Sequence, residues 1–165
     1  MKTEFSEQKY GETGVKTSFE QMANGEQKYK MVSEDGSYYC RTVASSHGAW
    51  QNSHIHINLT EFYVVQTGWI AYASYADDQM LSIRVMRAGE HIIVQPGIHH
   101  NIYMSAHSAI HTIKHGLNTS SDWTASPELD RLTQSLTENE LLQSMTNQTG
   151  GSDRCVKVQY FGLRE

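Results

Sequence analysis

Residues 48–68 read GAWQNSHIHINLTEFYVVQTG. His54 and His56 alternate with isoleucines, and Glu61 follows shortly after. On an extended strand, side chains at i and i+2 point the same way, about 6.6 Å apart along the chain. Both imidazoles therefore share one face, and Glu61, at the start of the next antiparallel strand, can fold back beside them. Two His and one carboxylate suit Fe(II), with open positions left for substrate or oxygen; Mn, Zn and Ni can take the same donors. The competing reading is a cluster of polar side chains that holds no metal. A further imidazole is on offer from GEHIIVQPGIHHNIYM, residues 89–104, which sets His99 and His100 beside the Pro96-Gly97 turn.

Outward from these stretches the chain is a series of short runs bounded by turn chemistry. QKYKMV and YYCRTVAS flank EDGS at 34–37, a hairpin turn. SHIHIN and EFYVVQT are strands split by a tight Leu59-Thr60 link. WIAYASYA and MLSIRVMR are joined at Asp77-Asp78, and HIIVQ, IHHNIYM and HSAIHTIKH follow. Closely spaced short strands without an intervening helical period predict an all-β antiparallel barrel or sandwich. Residues 1–26 read as a polar arm, loosely ordered or with a short helix at TSFEQMA. Residues 27–116 read as the barrel. Residues 117–165 read as two short amphipathic helices and a final strand of the same domain. There Ser126-Pro127 marks a helix start, Leu129, Leu132 and Leu136 recur at helical spacing, and Thr137 with Glu140 makes a capping box. CVKVQYF alternates like a strand that closes a sheet edge or pairs with a second subunit.

The two histidine-bearing stretches resemble the motifs of the cupin superfamily. The first motif, G-x5-H-x-H-x4-E-x6-G, is matched by Gly48, His54, His56, Glu61 and Gly68 with every interval intact. The second, G-x5-P-x-G-x2-H-x3-N, is matched by Gly89, Gly97 and His100, with Gln95 in place of Pro and Met104 in place of Asn. The resemblance spans residues 37 to 115. It implies a small double-stranded β-barrel of the jelly-roll, RmlC-like type, often dimeric, with a divalent metal at its open mouth held by His54, His56, Glu61 and His100. His99 then points to the opposite face. The resemblance names no reaction, because one fold hosts many.

Strand parity puts Tyr63 on the metal-side face with Glu61, and Tyr63 and His111 are the candidate catalytic groups. Tyr72 and Arg84 lie on strands whose register the sequence leaves open. Glu61 is expected as a partly solvated carboxylate near the barrel mouth. A net charge of −5 with interspersed signs and no basic stripe argues against nucleic acid. No apolar run approaches membrane-spanning length, and the polar beginning resembles no signal peptide. Cys40 and Cys155 stand far apart outside any C-x-x-C pair, which fits a reducing cytoplasm. The reading is thus a cytoplasmic metal-binding protein, expected as a homodimer and as an enzyme on a small organic molecule. Oxygenase-type chemistry is favoured because Tyr63 and Val65, and no crowd of charged anchors, lie nearest the metal. A metal-dependent sugar isomerase or epimerase, drawing on Arg84, Lys114 or His111, is the alternative, beside a non-catalytic ligand-binding protein.

Overall fold

A computed structural model describes residues 14–75, 80–116, 121–146 and 156–158. Its strands are β1 (Val15–Gln21), β2 (Gln27–Ser33), β3 (Tyr38–Val43), β4 (Ala49–Trp50), β5 (His54–His56), β6 (Leu59–Thr67), β7 (Trp69–Tyr75), β8 (Leu81–Arg87), β9 (His91–Val94), β10 (His99–Met104), β11 (Ala109–Gly116) and β12 (Trp123–Ala125). Helices α1 (Pro127–Thr133) and α2 (Glu138–Thr146) follow, then β13 (Val156–Val158). Among the described residues, one sheet runs β1-β2-β3-β11-β6-β9 and the other β12-β5-β10-β7-β8-β13, with β4 on β10. All pairings are antiparallel. The chain is a jelly-roll β-barrel with a C-terminal helical extension, as the strand rhythm, the leucine spacing and the cupin resemblance together imply.

The alternation of β6 shows how the barrel interior is chosen. Leu59, Glu61, Tyr63 and Val65 are buried, and the residues between them are only half-buried. Inside, Tyr63 and Val65 meet Ile70, Tyr72, Met86, Ile102, Met104 and Ile110 in one apolar cluster. The second sheet is buried on both sides, because the helices cover its outer face. There β7 carries Ala71 and Ala73, small enough for Leu129 and Leu141 to pack down with Ile83, Val85 and Tyr103. Large residues inside and small ones under the helices are one β-strand's answer to two different neighbours.

Two motif glycines have steric causes. A Cβ at Gly48 would overlap the hydroxyl of Tyr103, which passes that point to donate to Glu138 at 2.9 Å. Gly68 has φ +71°, and a Cβ there would stand 2.7 Å from Ser108 Cβ.

Several expectations are corrected. TSFEQ belongs to β1, a strand paired along its length with β2, and is neither loose arm nor helix. Most of its side chains are half-buried and its seven residues pair in register with β2, so sheet pairing overrides the helical reading. Leu59 and Thr60 are already strand; the turn is Ile57-Asn58. Asp122 makes that turn, accepting from Asn58 N at 2.6 Å through Oδ1 and from Ile57 N at 3.2 Å through its carbonyl. The short strands β4 and β12 carried no sequence signal of their own. The capping box at Thr137 forms, with Glu140 Oε2 accepting from Thr137 N at 2.8 Å. Asp77-Asp78, Cys155 and the rest of CVKVQYF beyond β13 lie outside the described residues, and β13 itself closes the sheet edge against β8.

Helix α1 is part of the cooperative core and not an appendage. Leu129 is fully buried, Asp130 accepts from Ser53 N at 2.8 Å, and Thr133 accepts from Asn101 Nδ2 at 3.1 Å. Leu129→Ala should therefore lower the unfolding free energy by about 2–5 kcal/mol in urea denaturation, the usual range for a buried leucine. A loss below about 1 kcal/mol would show that the helical layer stands apart from the barrel.

Candidate metal centre

The register of four strands brings the centre together. His54 on β5 lies opposite His100 on β10, and Glu61 on β6 lies opposite Lys114 on β11. Directly opposed residues stand close enough for their side chains to pair across an antiparallel ladder. Glu61 is only 1% exposed, which corrects the expectation of a partly solvated carboxylate. The barrel wall closes over it because β6 turns every second residue inward. His100 Nε2 lies 2.6 Å and His54 Nε2 3.7 Å from Glu61 Oε2. His56 Nε2 lies 3.5 Å and Lys114 Nζ 2.7 Å from Glu61 Oε1.

The other nitrogen of each ring fixes the tautomer. His100 Nδ1 faces Ile98 O at 2.9 Å and His54 Nδ1 faces Asn52 O at 3.0 Å, both pure acceptors. His56 Nδ1 faces Asp122 Oδ2 at 2.5 Å. In the neutral ring each Nδ1 therefore carries the proton and donates it outward, leaving Nε2 as a lone pair aimed at Glu61. Neither oxygen of Glu61 nor Nε2 of His54 receives a well-directed hydrogen bond. Buried acceptors turned toward one another are stable only with positive charge among them. That is the donor chemistry of a cation site, and the ligating atoms of His54, Glu61 and His100 lie within 4.8 Å of one another. These three residues could hold a metal ion.

The electrostatics follow. Burial pushes the Glu61 carboxyl up, but hydrogen bonds that His100, His54 and His56 give when Nε2 is protonated, together with the Lys114 ammonium, hold it well below the usual carboxylate range. Burial holds His54 below its ordinary 6.5, against the raising effect of Glu61. Tyr63, buried with its hydroxyl 3.5 Å from His100 Nε2, is raised well above the ordinary phenol value by that burial and by Glu61. It stays protonated and can donate.

A cavity of about 240 Å³ opens above the centre. Register again explains its lining: Lys28 and Lys30 on β2, Cys40 and Thr42 on β3, Thr112 and Lys114 on β11, and Glu61 and Tyr63 on β6 share one face of the sheet. Gln51, Asn52 and Trp123 complete the mouth, with Trp123 half exposed and stacked 5.8 Å from His54. Lys28 pairs with Glu26 at 3.1 Å and Lys30 with Glu20 at 2.7 Å.

The remaining sequence candidates are distributed as follows. His99 points away from the cluster, bonds Ser126 Oγ at 2.8 Å and stacks on Tyr75. His111 does not line the cavity: it falls on the opposite parity of β11 from Thr112 and Lys114, and its Nδ1 meets Tyr39 Oη at 2.8 Å. Tyr72 stacks on His100 at 6.2 Å, part of the wall. Arg84, its cross-strand neighbour, does not line the cavity. Missed from the sequence were Asp122, Lys28 and Lys30. Lys28 and Lys30 alternate in QKYKMV, a period-2 signal that could have placed both on one face.

No family model matches the chain, and no curated protein matches it either. Solved structures do match in fold. The Drosophila melanogaster CENP-C cupin domain is 16% identical at TM-score 0.50, over 60% of this chain and 70% of that one. KdgF from Halomonas sp. is 12% identical at TM-score 0.51, over 61% and 86%. The capsular polysaccharide assembling protein CapF from Staphylococcus aureus is 13% identical at TM-score 0.54, over 66% of this chain and a 33% share of its own. The fold is the cupin fold, and at its mouth sits a His-Glu-His cluster able to bind a metal.

The protonation pattern sets a pH dependence. Below about pH 6.5 the unfolded chain takes up a proton that buried His54 resists, so stability falls as pH falls. Glu61, held below its ordinary 4.5, contributes stability above that value that is lost on further acidification. The metal-free protein should accordingly show a lower urea midpoint at about pH 5.5 than at about pH 7.5, and His54→Gln should flatten the difference. A midpoint that rises on acidification would contradict the tautomers assigned above.

Proposed function

We propose that the protein is a metal-dependent enzyme acting on a small anionic organic molecule, with oxygenase-type chemistry. The observation that carries the reading is an acceptor-only cluster of His54, Glu61 and His100 beneath a polar cavity bearing Lys28, Lys30 and Lys114. A divalent ion held there supplies a Lewis acid and, as Fe(II), a centre with open positions for oxygen. Mn, Zn and Ni fit the same donors.

The chain's own residues do the rest. Lys28 and Lys30 attract a carboxylate or similar anion and hold it against the cavity wall. Gln51, Asn52, Thr42 and Thr112 offer hydrogen bonds to hydroxyl or carbonyl groups. Tyr63 donates its proton-bearing hydroxyl near His100 and, as a group touching the reacting molecule, is the catalytic candidate that the geometry supports. The apolar barrel interior beneath excludes water. The structural neighbour CapF has been solved with the inhibitor 3-isopropenyl-tropolone, which supports a small-molecule ligand in a fold of this kind.

The charged lining weakens one reason for favouring an oxygenase over a sugar isomerase, since lysines do stand near the metal site. It supports an isomerase or epimerase as the second reading, with Lys114 as the amine beside the centre. A homodimer belongs to the same proposal. Ile93, Ile113 and Met31, exposed in one cross-strand row on the outer face of the six-stranded sheet, support a second copy of this chain as its cover. A cytoplasmic setting is supported by the free thiol of Cys40 within the cavity.

The test is to strip the metal, reload with Fe(II), Mn, Zn or Ni, and screen small carboxylic acids and sugar acids by oxygen uptake and product mass. Metal-dependent oxygen consumption is expected; turnover without oxygen selects the isomerase, and tight binding without turnover a non-catalytic protein. For the substrate found, Lys28→Met should raise KM roughly 10-fold with a smaller effect on kcat, as loss of one charge-assisted contact implies. An unchanged KM would remove the anion from the proposal.

A further inference from the structure

We infer that Lys114 withdraws His56 from the metal-ligand set, so that the centre closes on three protein ligands, His54, Glu61 and His100. The inference rests on the metal-binding reading above and goes beyond it, because the motif alone counts His56 as a fourth ligand.

The partner at Nε2, and not distance, marks His56 off from the others, since its ring lies 5.0 Å from that of His54 and its Nε2 3.5 Å from Glu61. Its Nε2 already faces Lys114 Nζ at 2.9 Å, and the same ammonium reaches Glu61 Oε1 at 2.7 Å. A chain-borne cation thus fills the wedge between His56 and Glu61. The rings of His54 and His100 lie 4.3 Å apart, whereas those of His56 and His100 are 6.4 Å apart. The two oxygens of Glu61 divide the work: Oε2 faces His54 and His100, and Oε1 faces His56 and Lys114.

Both ends of the His56 ring are engaged. Nδ1 donates to Asp122 Oδ2, whose other oxygen caps the Ile57-Asn58 turn through Asn58 N. Nε2 accepts from Lys114. The ring acts as a strut from the turn to the ammonium and has no lone pair left for an ion. Lys114 in turn is fixed by its place opposite Glu61 and by the Tyr38 ring, 5.4 Å from Nζ. Its charge would also repel a dication drawn toward His56. Three protein ligands in place of four would leave a bound ion more room for a further ligand.

The experiment measures Co(II) binding to the metal-stripped full chain by visible absorption against a competing chelator. Imidazole ligands are counted by X-ray absorption. His54→Ala and His100→Ala should each weaken Co(II) binding roughly 100-fold, whereas His56→Gln should leave it within about threefold. Lys114→Met should strengthen binding about 10-fold and raise the imidazole count from two to three, because His56 is then free to turn to the ion. If His56→Gln fails to fold, the imidazole counts of the parent and of Lys114→Met decide alone. Three imidazoles in the parent, or an affinity loss in His56→Gln equal to that in His54→Ala, would overturn the inference while leaving the metal reading intact. A parent chain that binds no Co(II) would overturn both.

Discussion

A carboxylate 1% exposed inside a β-barrel is the constraint on which the rest of this structure depends. An uncompensated buried charge of that kind costs several kcal/mol. Glu61 is tolerated because the Lys114 ammonium and three imidazoles, able to carry a proton or hold a cation at Nε2, converge on it from three other strands. That convergence demands one register: β5 against β10 to bring His54 to His100, and β6 against β11 to bring Glu61 to Lys114. A slip of one residue on either ladder would turn the partners to the outer face and leave the carboxylate alone. The site thereby helps to specify the fold that builds it.

The segment around Asp122 extends the same logic beyond the barrel. One carboxylate holds the Ile57-Asn58 turn and the His56 ring together, while Trp123 stacks on His54 and Ser126 fixes His99. Helix α1 then anchors β5 through Asp130 and Ser53. The helical extension contributes no metal donor among its described residues, yet it clamps the strand that does. The residues leading into the helices thus orient the site as well as holding the helical layer to the barrel.

The lysines that line the cavity serve two ends. The Lys114 ammonium pairs with Glu61, while Lys28 and Lys30 pair with Glu26 and Glu20. An entering anion would exchange one carboxylate partner for another, which favours selectivity for charge without leaving bare ammonium groups in the empty cavity. The overall charge of −5 conceals this local excess of lysines, since acids elsewhere dominate the sum.

The sequence by itself determined the strand rhythm, the inward parity of His54, His56, Glu61 and Tyr63, and the choice of His100 over His99. The rhythm and the parities follow from period-2 alternation, a local property of an extended chain, and the choice of His100 from the motif intervals of the cupin resemblance. It also placed both helices, since the leucine spacing and the Thr137–Glu140 box are local too. What only the tertiary structure decided was which strands became neighbours. Lys114 meets Glu61, and Asp122 meets His56, across separations in sequence that no local pattern encodes. The strand β1 was hidden for the same reason, because its pairing partner and not its own propensity makes it a strand. Register between distant segments is set by the common burial of their inner faces, and that becomes visible only when the sheets close.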